Sequence, residues 1–214
     1  FIKVFVPGPF FEPLTYSSDK PIEAGLRVKA PLGSREIIGI SAGEAIEPQD
    51  LSTIKSILEV LDDAPVINPS HHALIRFASD YYLAPPGDLL LSSLPTSIRK
   101  GKPLPPAKTE QGQSQPPNYP LTDEQQNAID CVNQASDDFQ CFLLQGVTGS
   151  GKTQVFSELI RKTLERGKQV LLLVPEIGLT GQMVTRIQQQ LTGTLAVSHS
   201  GLADGARAKA FVAA

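Results

Sequence analysis

The residues best suited to chemistry are eight in a row: Gly146, Val147, Thr148, Gly149, Ser150, Gly151, Lys152 and Thr153. They match the phosphate-binding pattern G-x-x-x-x-G-K-[ST] at every position. Glycine at 146, 149 and 151 permits positive φ and lets backbone N–H groups approach phosphate oxygens. Lys152 would reach the β- and γ-phosphates and the Thr153 hydroxyl would hold Mg²⁺, which makes these two the candidate catalytic residues. The bland reading is a glycine-rich turn with a solvated Lys152. The setting favours the phosphate loop, because Cys141, Phe142, Leu143 and Leu144 read as a buried parallel strand before it. After it, Val155, Leu159, Ile160 and Leu164 share one face of a helix over 154–166, whose positive dipole end points at the same charge.

Such loops serve kinases, GTPases, transporters and motors, so other residues must choose among them. Upstream, Thr122 and Gln125 in the run LTDEQ form a capping-box pair. Gln125 either only closes that cap or uses its amide, donor and acceptor together, on both edges of an adenine ring. Downstream, Glu176, Ile177, Gly178, Leu179 and Thr180 in the run LVPEIGLT leave a strand and enter a helix capped by Thr180. Backbone N–H groups there are placed to meet a nucleic-acid phosphate. A third run, HSGL from His199, ends the next strand at the same sheet edge, where a histidine is either structural or chemical.

These runs need a scaffold, and residues 119–214 read as one. The pattern is helix 122–134, strand 140–145, loop, helix, strand 169–174, helix 180–191 and strand 195–198. Such alternation predicts an α/β fold, a parallel sheet with helices on both faces and its ligand at the strands' carboxyl ends. Residues 99–118, rich in proline, glutamine and serine, read as an interdomain linker. Residues 1–98 read as a small β-rich domain, with strands over 2–6, 26–30 and 36–40 and a turn at 31–35. The run 53–61 leaves strand and helix both open, strand being favoured. A helix follows, capped by Ser70, with Ala73, Leu74, Phe77, Ala78 and Tyr81 at helical spacing, and Pro85, Pro86 and Gly87 stop it.

Composition narrows the class further. The 214 residues carry a net charge of −3 and are 41% hydrophobic, an ordinary folded chain with length for about two domains. Near-neutral charge offers no global field for nucleic acid, so a DNA surface would be a local patch. Cys131 and Cys141 lack C-x-x-C spacing and accompanying histidines, which points to reduced thiols rather than a metal site. No apolar run has membrane-spanning length and no signal peptide is visible, so a cytoplasmic protein without a membrane partner is expected. Phe1 and the run ending at Ala214 suggest a piece of a longer protein.

In order, LTDEQ, GVTGSGKT, LVPEIGLT and HSGL closely resemble the first lobe of superfamily-two helicases, and within them the PriA family of replication-restart helicases (primosomal protein N′). The resemblance implies that the parallel sheet is RecA-like, that Gln125 contacts adenine, that residues 146–153 bind ATP and Mg²⁺, and that Glu176 to Thr180 lie along single-stranded DNA. Gly181 stands where the family usually has proline. The N-terminal half resembles the family's domain for the 3′ end of a nascent leading strand, whose pocket maps onto Leu14, Thr15, Tyr16, Gly33 and Lys55. Tyr16 would offer a stacking face, Gly33 close backbone approach and Lys55 a phosphate partner. The plain alternative makes Tyr16 a core residue and Lys55 a solvated one; some members carry aspartate at the Thr15 position. The linker replaces the family's winged-helix domain. The family's acidic pair, arginine finger and zinc-binding cysteines would lie beyond Ala214.

The resemblance therefore implies part of an ATP-dependent 3′-to-5′ DNA helicase that acts at forked DNA with primosome proteins and single-stranded DNA-binding protein. A rival reading is a non-motor DNA-end-binding module with a vestigial nucleotide site. A nucleotide kinase would need an acceptor site and an arginine-rich lid, which residues 171–214 do not supply.

Overall fold

A computed structural model describes residues 1–106, 120–135, 139–174, 184–185 and 195–214. They fall into two compact units, residues 1–107 with 202–212, and residues 108–201 with 213–214.

The first unit is built on five strands: β1 (Ile2–Phe5), β2 (Leu14–Tyr16), β3 (Arg27–Leu32), β4 (Arg35–Glu44) and β5 (Glu59–Val60). They pair antiparallel in the order β2-β1-β4-β3-β5. Strand alternation does the sorting: Ile2 and Val4 of β1 and Val28 and Ala30 of β3 are buried, with polar or half-buried neighbours between them. The sheet's two edges meet, because a parallel bridge joins Ser17 after β2 to Ser56 before β5. Ser17 N–H donates to Lys55 O at 3.0 Å, Ile57 N–H to Ser17 O at 3.1 Å, and the two serine hydroxyls share a hydrogen bond at 2.8 Å. That seam curls the sheet toward a barrel and leaves β5 without a long open edge.

Four helices complete the unit: α1 (Pro69–Tyr82), α2 (Pro86–Ser93), α3 (Thr96–Arg99) and α6 (Asp204–Ala213). Ile67, Ile75, Leu90, Leu91, Leu94 and Ile98 gather with Ile40 of the sheet into a second core cluster. Arg27, the first residue of β3, is wholly buried. Its guanidinium meets Asp62 through Nε at 2.9 Å and donates to the carbonyls of Ile98 at 2.7 Å and Lys102 at 2.8 Å, so the buried charge is both paired and hydrogen-bonded.

Several expectations change. The run 53–61 is extended, yet only Glu59–Val60 is strand, since the preceding residues make the seam rather than a ladder. Asn68, not Ser70, caps α1, its side chain accepting from His71 N–H at 2.8 Å with Pro69 opening the helix. Pro86 and Gly87 stop nothing: α1 ends at Leu83 in the left-handed region and Pro86 begins α2. The apolar stripe that marks α1 in the sequence faces outward. Leu74, Phe77 and Tyr81 are 61%, 60% and 69% exposed, whereas Ile75 and Ser79 are buried. The face carrying the small Ser79 hydroxyl, which donates to Ala84 O, is the one that fits closely against the unit.

The second unit contains α4 (Asp123–Asn133) and α5 (Lys152–Glu165), which pack against each other with Ile129 and Val155 buried. The runs 140–145, 169–174 and 195–198, expected as parallel strands, form no strand among the described residues. Leu143, Leu171 and Leu173 are 90%, 83% and 80% exposed. A parallel strand is held by neighbours on its edges and cover on both faces, and these side chains have neither. Of the helix expected over 180–191, residues 184 and 185 are described, as helical. Most of the linker, 107–119, lies outside the described residues. Among the described residues no helix is long and apolar enough to cross a membrane.

Candidate functional site

Phosphate-loop geometry is assembled locally. Gly149 and Gly151 carry φ of 84° and 82°, a conformation glycine adopts without strain, whereas Gly146 does not need it. Position 146 excludes a side chain for another reason: a Cβ there would meet the Ser150 hydroxyl at 2.7 Å. Gly151 caps α5 from the left-handed region and no side chain closes that helix start. The positive end of α5 is thus open to an anion. Lys152 folds back so that its ammonium donates to Gly146 O at 2.6 Å and Val147 O at 2.9 Å, across the mouth of the loop. Ser150 N–H donates to Val147 O at 3.2 Å, closing the turn that contains Thr148. Thr153, half-buried, follows Lys152 in the first turn of α5.

Gln125 lies against this loop. Its Oε1 accepts from Thr122 N–H at 3.1 Å, and its backbone N–H donates to the Thr122 hydroxyl at 3.3 Å, completing the capping box. Its Nε2 donates to Ser150 O at 3.1 Å. A Cβ at Gly151 would lie 2.2 Å from that nitrogen. The capping reading of Gln125 holds, and the same side chain touches the loop. His199, half-buried at the start of HSGL, keeps a buried Nδ1 without a hydrogen-bond partner. Glu176, Ile177, Gly178, Leu179 and Thr180 lie outside the described residues.

The five end-pocket candidates come from three separate stretches, and Lys55 and Tyr16 meet the turn that carries Gly33. Leu14, Thr15 and Tyr16 form β2, in register with Val4, Lys3 and Ile2. Gly33, at φ 61°, makes the β3–β4 turn, with open space where a Cβ would stand. The Lys55 ammonium donates to Gly33 O at 2.9 Å, and Tyr16 OH donates to Pro31 O at 3.1 Å beside the same turn. Lys55 and Gly33 are exposed, Leu14 and Thr15 half-buried. Tyr16 is 3% exposed, and burial holds its phenol above the usual range. A ring so enclosed offers no stacking face, so the core reading of Tyr16 replaces the stacking one. Its place in the site is to fix β2 against the turn that presents Gly33.

Residues 3–95 match the 3′ DNA-binding domain family of PriA. Residues 118–210 match the family described as Type III restriction enzyme, res subunit. The replication restart protein PriA of Treponema pallidum is 36% identical over 188 residues, 86% of this chain and 28% of that protein. Its counterpart in Bacillus subtilis is 49% identical over 88 residues, 40% of this chain and 11% of that protein. The one in Haemophilus influenzae is 26% identical over 283 aligned positions, covering 96% of this chain and 38% of that protein. The chain belongs to the PriA family of replication restart proteins. It spans well under half the length of these PriA relatives. All five end-pocket candidates fall within the 3′ DNA-binding match, and Gln125 with the whole phosphate loop falls within the second.

Sequence reading missed Arg27 and Asp62, and Ser17 and Ser56 at the seam. An arginine inside the apolar run 26–30 was the available signal, since a charge in a buried strand requires a partner. Nothing local pointed to which carboxylate would supply it.

Proposed function

We propose that the chain is part of an ATP-dependent 3′-to-5′ DNA helicase of replication restart. In this reading the first unit holds the 3′ end of a DNA strand and residues 146–153 bind ATP with Mg²⁺. The observation that carries it is the meeting of Gly33 and Lys55, with Tyr16 of β2 bonded to Pro31 beside the same turn, inside a 3′ DNA-binding match. Lys55 offers a cation to a backbone phosphate, Gly33 an approachable backbone, and the Thr15 hydroxyl a partner for a terminal 3′-OH. Around the loop, the Lys152 ammonium exchanges the carbonyls of Gly146 and Val147 for phosphate oxygens, and the Thr153 hydroxyl ligates the metal. Gln125 exchanges its contacts with Thr122 and Ser150 for the adenine edges. Bound Mg²⁺ supplies charge neutralisation at the transferred phosphoryl group. The RecA-like parallel sheet, the domain limits 1–98 and 119–214 with linker 99–118, the DNA track at 176–180, fork substrates, primosome and single-stranded DNA-binding partners and a cytoplasmic site of action belong to the same proposal. So do the zinc-binding cysteines of the family's further part.

The test is anisotropy with duplexes whose recessed strand ends in a 3′-hydroxyl or a 3′-phosphate. The hydroxyl end should bind more tightly, and Lys55→Ala should weaken both by about ten-fold. Equal affinity for the two ends would remove the end-binding reading.

A second reading, a DNA-end module with a vestigial nucleotide site, draws on the absent strand pairing at 140–145, 169–174 and 195–198 among the described residues. Lys152→Ala in the full-length parent separates them: loss of unwinding supports the motor, and unchanged unwinding supports the module.

A further inference from the structure

Helix α6 follows the HSGL run and begins within the res-subunit match, which ends at residue 210, yet residues 202–212 pack with residues 1–107 as one unit. Two kinds of contact hold it. The Asp204 carboxylate accepts from the backbone N–H groups of Thr96 at 2.9 Å and Ser97 at 2.7 Å, satisfying the start of α3 where no local side chain does so. Ala208 is buried, and Phe211 and Val212 pack on the cluster formed by Ile40, Leu90, Leu91, Leu94 and Ile98. Hydrogen bonding from Ser97 first, with Thr96 adding to it, holds the Asp204 carboxyl below the usual carboxylate range.

What α3 does next gives the contact a purpose. Its Ile98 carbonyl, and the Lys102 carbonyl just beyond it, accept from the buried Arg27 guanidinium. Arg27 in turn grips Asp62, and its own carbonyl accepts from Leu61 N–H at 2.9 Å. Leu58 N–H donates to Lys29 O at 2.8 Å on the same stretch of β3, three residues past Lys55. A contiguous path of hydrogen bonds and packed side chains thus runs from Asp204 through α3 and Arg27 to the segment that carries Lys55.

We propose that Asp204 is a positioning residue for the 3′-end pocket: by docking α6 on α3 it fixes the acceptors of Arg27 and, through them, the segment that presents Lys55. This rests on the end-binding reading above. Its consequence is that the HSGL segment, two residues before Asp204, and the pocket are linked through one helix.

The experiment uses the full 214-residue chain, with Asp204→Ala to remove both acceptors and Asp204→Asn to restore one. Hydrogen exchange over residues 94–102 reads the docking, and anisotropy with recessed 3′-hydroxyl and 3′-phosphate duplexes reads the pocket. In Asp204→Ala, exchange at Thr96 and Ser97 should rise about ten-fold or more. Affinity for both ends should fall about five-fold or more, the direction expected for Lys55→Ala, with Asn giving intermediate values. Unchanged exchange overturns the docking. Faster exchange with unchanged affinity for both ends overturns the positioning role and leaves α6 a packing helix. A parent chain with no preference for the hydroxyl end overturns the end-binding reading and the positioning role together, and the exchange data still tell that failure from a failure of docking.

Discussion

The sheet of the first unit and the strand-like runs of the second are comparably apolar, yet Val4 and Val28 are fully buried while Leu171 and Leu173 face solvent. The difference lies in where each strand finds its partner. β3 and β4 pair across the tight turn at Gly33, and each pairing between the sheet's five strands is antiparallel. The runs 140–145 and 169–174 can pair only in parallel, through helical crossovers and with cover on both faces. Helices need less: α4 with its capping box and α5 with its glycine cap form in the same unit, because their hydrogen bonds are local. The chemistry of the phosphate loop depends on a loop and a helix start, and both are present.

The contrast breaks most visibly at Arg27. Asp62→Ala leaves a buried guanidinium without its carboxylate and should cost the first unit about 3–5 kcal/mol, read as a shifted urea midpoint. A change below about 1 kcal/mol would mean that the pair is not what ties the sheet to the segment after α3. In the second unit the sensitive point is backbone conformation. Gly151→Ala puts a Cβ against Gln125 and a non-glycine residue in the left-handed region, at a cost of about 1–2 kcal/mol. Its effect should be local: nucleotide affinity falls, measured by titration with a fluorescent ATP analogue, and the urea midpoint of the first unit stays put.

A smaller effect comes from α1. Burial lowers the pKa of His71 and of His72, to which the neighbouring imidazole also contributes. With folded values below the ordinary 6.5, their contribution to stability is complete above about pH 6.5 and is lost as pH falls through the folded values. Thermal unfolding between pH 7.5 and pH 5 should show that decline, and replacing both histidines with glutamine should flatten it. The smallest effect belongs to the aromatic face of α1. Phe77→Ala should change stability by no more than about 0.5 kcal/mol, since the ring stacks on Tyr81 at 5.6 Å in solvent. A loss of several kcal/mol in a melting experiment would mean that the ring is packed in a core.

Much of the local structure at the candidate nucleotide site was legible because its information is local. The G-x-x-x-x-G-K-[ST] spacing locates the loop, and Thr122 with Gln125 announces a helix start that the structure contains. The candidate 3′-end residues came through resemblance alone, since Leu14, Gly33 and Lys55 share no local pattern. What spacing left open was orientation. The stripe of Leu74, Phe77 and Tyr81 marks an apolar face of α1, but periodicity cannot say which face meets the sheet. Tyr16 reads equally well as a stacking platform or a core ring until Pro31 O accepts its hydroxyl.

By itself the sequence determined the elements whose bonds close within a few residues: the loop glycines, the capped start of α4, the antiparallel turn at Gly33. Only the tertiary structure decided which carboxylate neutralises Arg27, that Ser17 and Ser56 join the sheet's edges, and that α6 packs beside α3. These contacts join residues 35, 39 and 108 positions apart. Their partners are chosen by burial and by the demand that enclosed polar groups be satisfied, and neither is written in any short stretch of chain.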